Sequence, residues 1–366
     1  MSCMLDLLTQ ITEVAAPPFM EEERSHFVKG LWEAAGLTVE QDELYNLIAP
    51  LPSAGDGPTV LLVAHLDTVF SAGTDVTVRK ESATKWAAPG IGDNSASLAV
   101  LTYLAEQLHA GNIAPFAGNV VLVATVGEEG LGDLRGAHAI SERFAGEADV
   151  FLAVDGTLGW LVDGAVGSKR LDVTFTAKGG HSWANYGAPS AIHALGDAIA
   201  NLYHRLEVPK SPRASMNVGT ITGGTTINAI AETANMQIDL RSVDPGVLES
   251  MVQGAVGFIQ HAANSHNAEV AINMLGDRPA GKSATPELVQ AVTEVFRTHE
   301  IELKVTPAST DANAAIARGI PAITVGVYEG DDAHRKSEWL NPESLMPGYE
   351  LLVDIVRAVV ALPKRS

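Results

Sequence analysis

Apolar positions fall into two kinds of run along this chain. "MLDLLTQITEVA" and "EEERSHFVKGLWEAAG" repeat apolar residues at helical spacing, with Pro17 and Pro18 between them and Gly36 closing the second, and they predict two surface helices. "TVLLVAH", "NVVLVATV" and "VFLAVDG" are instead short, nearly unbroken aliphatic runs rich in Val, the pattern of strands covered on both faces. Between the first two lies "SASLAVLTYLAEQLHAG", an amphipathic helix closed by Gly111. Buried strands alternating with helices predict an α/β sheet.

From Ser168 the texture changes. "SKRLDVTFTAKG" alternates, "PSAIHALGDAIANLYHRL" is helical, "ASMNVGTITGG" and "ETANMQIDLRSV" alternate, "PGVLESMVQGAVGFIQHAANS" is helical and "NAEVAINML" alternates. That β-α-β-β-α-β order is the split, ferredoxin-like unit. Longer helical and aliphatic patterns return in "PELVQAVTEVFRTHE", "IPAITVGV" and "SLMPGYELLVDIVRAVVALP". The expected plan is an α/β domain with a mixed central sheet flanked by helices, formed by residues 1–167 and 276–366, with an inserted α+β domain at 168–275.

Composition agrees with two cores: 366 residues at 46% hydrophobic and 19% charged content exceed the ~250–300 residues at which single cores stop growing. A formal charge of −20 sets the average surface against nucleic acid and anionic membranes, and neither is expected as a partner. Cys3 is the only cysteine, which rules out an intrachain disulfide and fits a reducing compartment. The N-terminal stretch lacks the layout of a signal peptide, and no segment approaches the ~18 apolar residues that span a bilayer. A cytoplasmic location is expected.

Acidic and imidazole residues collect where the apolar runs stop. They are His65 and Asp67, Asp93 in "PGIGDNSAS", Glu128 and Glu129 in "VATVGEEGLG", Asp155 in "LAVDG", and His334 in "GDDAHRKSEWL". Strand ends of an open α/β sheet are where ligands bind. So many carboxylates around one cleft cannot all stay ionised without a cation among them. Oxygen and imidazole donors without thiolate suit zinc, cobalt or manganese, and two such ions can share a bridging carboxylate. The Gly-rich "GIGDNS" lacks both the third glycine and the preceding strand of a dinucleotide loop. "STDANAA", residues 309–315, reads equally as a helix N-cap or as a cleft segment.

The motifs "AHLDTV", "GDN", "GEEG", "VDG", "GGHS", "INAIAE", "DLRS" and "HRKSEW" occur in an order and at intervals that resemble the M20 metallopeptidases, relatives of peptidase T and glutamate carboxypeptidase, over nearly the whole chain. The resemblance implies a zinc-peptidase-like catalytic domain with an inserted lid and dimerisation domain, two divalent ions per chain, and a homodimer built through the insert. By the same resemblance His65 and Asp155 hold one ion, Glu129 and His334 the other, and Asp93 bridges them. Asp67 would orient His65, Glu128 would be the general base, His181 would stabilise the oxyanion, and Asn228 and Arg241 would hold the substrate backbone or carboxylate. Gly127 and Gly130 would provide the irregular turn that lets both glutamates reach the site.

Two departures shape the expected activity. Many deacetylase-like relatives carry Asp-x-Lys-x-Gly at the bridging motif, where this chain reads Asp93-Asn94-Ser95-Ala96-Ser97, and Asp155 replaces the Glu of carboxypeptidase-like and deacetylase-like members, resembling aminopeptidase-type relatives there. Both favour an aminopeptidase or di/tripeptidase acting on short peptides. An N-acyl amino-acid amidohydrolase on the same centre is the alternative, and a non-catalytic peptide-binding relative comes after it.

Overall fold

The three aliphatic runs form the parallel centre of an eight-stranded sheet. The strand Ser53–His65 lies between Phe116–Thr125 and Val150–Val154 and is parallel to both, with His65 in register with Thr125. Ala322–Val325 continues the parallel set beside Val150–Val154, and Leu47–Pro50 pairs antiparallel with Phe116–Thr125, so the sheet is mixed. The computed structural model of the protein describes residues 4–365, and Cys3 lies outside the described residues.

The unbroken apolar runs have a direct cause. Along the first strand Val60, Leu62 and Ala64 pack into one core with the helices Met4–Thr12, Glu22–Ala34, Ser95–His109, Pro286–Thr298 and Leu345–Val360. Leu61 and Val63 point the other way, into a smaller core with the helices Arg135–Arg143 and Ala312–Ala317. The next strand repeats this with Val120 and Leu122 on one side and Val121 and Val123 on the other. Both faces are covered, so no polar residue interrupts the run.

The chain divides into two compact units, one running to Ala165 and resuming at Lys282, the other spanning Val166–Gly281. In the second, the strands Gly167–Thr176, Ala214–Gly223, Thr233–Ser242 and Glu269–Arg278 form an antiparallel sheet. In strand order along the chain it runs 2-3-1-4. Leu171, Val173, Phe175, Met236, Ile238 and Leu240 pack against the helices Ala191–Arg205 and Pro245–Ser265. Ser190 and Asp244 cap these helices by accepting from His193 N–H and Val247 N–H.

Two features have no counterpart in the sequence reading. A small sheet of Arg79–Ser82, Lys85–Ala87, Glu329–Asp331 and Trp339–Asn341 carries strands of three or four residues, too short for a visible period. The helix Arg135–Arg143 is nine residues long and mixes Gly136 with charged residues. Among the described residues no helix is long and apolar enough to cross a membrane.

Two glycines test the packing. A Cβ on Gly348 would lie 1.8 Å from the Val327 carbonyl oxygen, whereas one on Gly257, on the exposed side of its helix, would meet nothing within 4 Å. Gly348→Ala is expected to cost ~3 kcal/mol or more, because backbone must move. Gly257→Ala should stabilise by about 0.5–1 kcal/mol through helix propensity. Chemical denaturation of the two variants checks both signs.

Candidate metal centre

Parallel strands bring their C-terminal ends to one edge of the sheet, and the predicted residues follow from that. His65 ends its strand, Asp155 follows Val154, and Glu128 and Glu129 lie three and four residues beyond Thr125. Asp93 comes from the turn between Lys85–Ala87 and the helix Ser95–His109. His334 lies in the loop joining Glu329–Asp331 to Trp339–Asn341.

Asp93 is the meeting point. Its Oδ1 lies 3.0 Å from His65 Nε2 and its Oδ2 lies 3.0 Å from His334 Nε2, which is also 3.1 Å from Glu129 Oε1. One donor atom from each of His65, Asp93 and Glu129 falls within 4.8 Å of the others. Ligands on a tetrahedral ion at ~2.0 Å are themselves about 3.3 Å apart, so the spacing suits a shared cation.

The hydrogen bonding makes the same point. His65 Nδ1 sits 3.0 Å from the Asp67 carbonyl, so in the neutral ring Nδ1 carries the proton and Nε2 presents a lone pair. Despite their 3.0 Å separation, His65 Nε2 and Asp93 Oδ1 are both buried without a hydrogen-bond partner. Two facing lone pairs at that distance require a proton or a metal ion between them. The donor set is nitrogen and oxygen only, which fits zinc, cobalt or manganese.

Asp67 meets His65 through its backbone and not through its carboxylate. Its carboxylate is 3.8 Å from His65 Nδ1 and instead accepts from Glu128 N–H at 2.9 Å and Glu129 N–H at 2.8 Å. It therefore orients His65 through its backbone carbonyl and uses its side chain to hold the glutamate turn. Gly127 and Gly130 both have left-handed φ, 68° and 55°, which bends the backbone so that adjacent amides face one carboxylate.

Crowding shows in the proton affinities. Burial, then the neighbouring charge of Asp93, pushes the Asp155 carboxyl well above its usual range. Glu129 is pushed up to about 7 by burial, which outweighs its hydrogen bond with His334. Burial acts against the charged form of His65, but the Asp93 carboxylate beside it raises the imidazole well above 6.5. Hydrogen bonds to Asp93 and Glu129 raise His334 to about 11. Burial opposes ionisation of Asp93, yet the two histidines hold it below the ordinary carboxylate range.

Three residues of this neighbourhood escaped the sequence reading. Glu338, the last acid of "HRKSEW", accepts from the N–H groups of Gly90, Gly92 and Asp93. Asp311 precedes the helix Ala312–Ala317, but its carboxylate makes no cap and accepts from Thr125 Oγ1. Arg24, fully buried, donates to the carbonyls of Val14, Leu66 and Thr12. Burial lowers its pKa to about 10, against the pull of Asp67 and Glu338. Only Glu338 and Asp311 stood in motifs that could have flagged them.

His181, Asn228 and Arg241 belong to the second unit. His181 pairs with Ala229 across two short strands, and Ser182 N–H donates to the Asn228 carbonyl, so His181 and Asn228 line one cavity with Gly180 and Thr225. Exposed His181 accepts at Nδ1 from Trp183 N–H and Ala184 N–H, which in the neutral ring leaves the proton on Nε2. Arg241 lies outside this cluster and donates from Nε to Asp239 at 2.6 Å. Part of its fork is therefore committed to an ion pair on its own strand.

Comparison with known proteins places these observations. The model for peptidase family M20/M25/M40 matches residues 61–358. Succinyl-diaminopimelate desuccinylase of Corynebacterium glutamicum is 25% identical over 91% of this chain and 90% of its own. The crystal structure of aminopeptidase PepT from Bacillus cereus is similar in fold, with a TM-score of 0.81 at 24% identity over 98% of both chains. A dinuclear metal-binding peptidase of the M20 family from Bacillus subtilis gives 0.69 at 16% identity, over 98% of this chain and 97% of that one.

The raised carboxyls predict how metal and pH act together. Burial pushes the Glu129 carboxyl up to about 7 from its ordinary 4.5, so the metal-free fold holds the extra proton between those values. Its stability contribution is full below about pH 4.5 and is lost as pH rises through 7. The rise in thermal midpoint on adding zinc to chelator-treated protein is therefore expected to widen from pH 5 to pH 7, and to widen less in Glu129→Gln. A zinc effect that is flat across that window in both proteins would remove Glu129 from the centre.

Proposed function

The chain belongs to peptidase family M20/M25/M40 and is a metallohydrolase, and from that premise we propose that it is a dinuclear exopeptidase of short peptides, an aminopeptidase or di/tripeptidase. The observation that carries the reading is Asp93, each of whose carboxylate oxygens meets a different histidine. In this reading His65 and Asp155 would hold one ion and Glu129 and His334 the other, with Asp93 as the ligand they would share. Bound divalent ions supply Lewis acidity toward the scissile carbonyl and lower the pKa of water.

The chain's own residues do the rest. Glu128, only 6% exposed and with its backbone fixed by Asp67, takes the proton of the attacking water and passes it to the leaving amine. His181 donates from Nε2 to the developing oxyanion, a role its Nδ1 contacts support. Asn228 and the remaining donors of Arg241 hold the substrate backbone or carboxylate. The edge strand Ala214–Gly223 is largely exposed and, among the described residues, pairs on one side only, with Thr233–Ser242, which suits a homodimer through this unit.

A second reading, an N-acyl amino-acid amidohydrolase, is favoured by the 25% identity to a desuccinylase. A scan of free and N-blocked di- and tripeptides with added zinc, cobalt or manganese separates the two. Cleavage restricted to free-amine peptides supports the exopeptidase; cleavage restricted to blocked substrates supports the amidohydrolase.

Glu128→Gln is expected to keep its metal, by elemental analysis, while turnover falls by about 10²–10⁴-fold or more. Near-normal turnover would move the base elsewhere. His181→Ala should likewise keep metal and stability but lose on the order of 10²–10³ in kcat. Mixing the two inactive variants under subunit exchange should restore part of the activity if His181 serves the neighbouring subunit. No recovery, with exchange verified, would confine each site to its own chain.

A further inference from the structure

We infer that Glu338 is a positioning residue that sets the bridging carboxylate in place before any cation arrives, by tying the loop of Asp93 to the loop of His334. The inference rests on the dinuclear reading above. Glu338 is 1% exposed, and both its oxygens are engaged: Oε1 accepts from Gly92 N–H at 2.8 Å and Asp93 N–H at 2.9 Å, and Oε2 from Gly90 N–H at 2.9 Å. Its own carbonyl accepts from Ala88 N–H at 3.1 Å, and its N–H donates to the Arg335 carbonyl at 3.0 Å. One residue thus bonds four times to the turn leading into Asp93 and closes the turn that follows His334.

The Asp93 turn needs this support for a structural reason. Residues 88–94 are neither helix nor strand, so their inward amides have no ladder to join. Gly90 has φ +75°, and a Cβ on Gly92 would lie 2.5 Å from the Tyr328 hydroxyl oxygen, so the turn is held against its neighbours as bare backbone. Asp93 must then keep one oxygen 3.0 Å from His65 and the other 3.0 Å from His334. A displacement of about 1 Å would lose one of the two, and misplacement on that scale is known to disable sites.

The test uses the full-length protein and zinc alone. Glu338→Gln keeps the side-chain shape but turns an amide N–H₂ toward a backbone N–H. We expect zinc stoichiometry to drop below two per chain, or affinity against a chromophoric chelator to fall 10–100-fold, the range for residues that orient ligands. Leu340→Ala is the structural control: it removes buried packing two residues away and should lower the thermal midpoint with zinc affinity unchanged. Two zinc ions bound to Glu338→Gln with wild-type affinity would overturn the inference and leave the dinuclear reading standing. A wild type that binds no zinc would overturn both. If Glu338→Gln does not fold, amide hydrogen exchange on metal-free wild type decides: slow exchange over residues 88–94 supports the tie, and exchange at loop rates overturns it.

Discussion

Carboxylates crowd one edge of a buried sheet, and the rest of the structure answers the repulsion between them. Asp67, Asp93, Glu129, Glu338 and Asp311 are shielded from water, so each must be neutralised locally. The chain uses more than one solution. Asp67 and Glu338 receive five backbone N–H bonds between them, and fully buried Arg24 acts on both by its charge. Asp311 is pushed to about 7 by burial, which outweighs its bond from Thr125. Asp93 and Glu129 have, as side-chain partners in the centre, only two histidines. In the proposed reading the cations sit beside these two acids, whose carboxylates face histidines.

That division explains why the two kinds of acid sit where they do. The backbone-bonded acids lie behind the turns, and the histidine-bonded acids lie on them. Asp67 fixes the turn of Glu128 and Glu129, and Glu338 fixes the turn of Asp93, so two loops outside the sheet ladder gain acceptors for amides that would otherwise be unpaired. Loops can then deliver ligands with the definition usually given by strands. The parallel strands supply the coarse convergence, because their C-terminal ends share one edge.

How much of this was legible follows from the length scale of each signal. The aliphatic strands, the helices around them and the β-α-β-β-α-β insert announce themselves because each holds one pattern, an unbroken run or a period, over several residues. The small sheet beneath His334 does not, because Arg79–Ser82 is exposed throughout and its partners have three residues each. At the site, residue types at strand ends pointed to His65, Asp93, Glu129, Asp155 and His334, and the resemblance proposed their roles. What the sequence could not convey was direction. Asp67 was expected to orient the imidazole two residues earlier; its carbonyl meets that ring, while its carboxylate turns to amides more than sixty positions away in the chain. Arg24 sits in a helix whose pattern reads as a charged surface, yet it is fully buried, its guanidinium bonded to three carbonyls.

Direction also decides how His181 can act. A histidine in a polar, glycine-rich turn would ordinarily rotate freely, and either nitrogen could carry the proton. Here the following residues turn their amides back onto Nδ1, so the ring is held from behind and its other nitrogen faces out as a donor. The same device serves His65 with the opposite outcome: a carbonyl accepts from Nδ1–H, and Nε2 is left with its lone pair. Two histidines of equal intrinsic chemistry are thus assigned opposite tasks by the backbone group that meets Nδ1. An amide leaves one with a donor at Nε2, as the proposed oxyanion role needs, and a carbonyl leaves the other with a lone pair at Nε2, as the proposed ligand role needs.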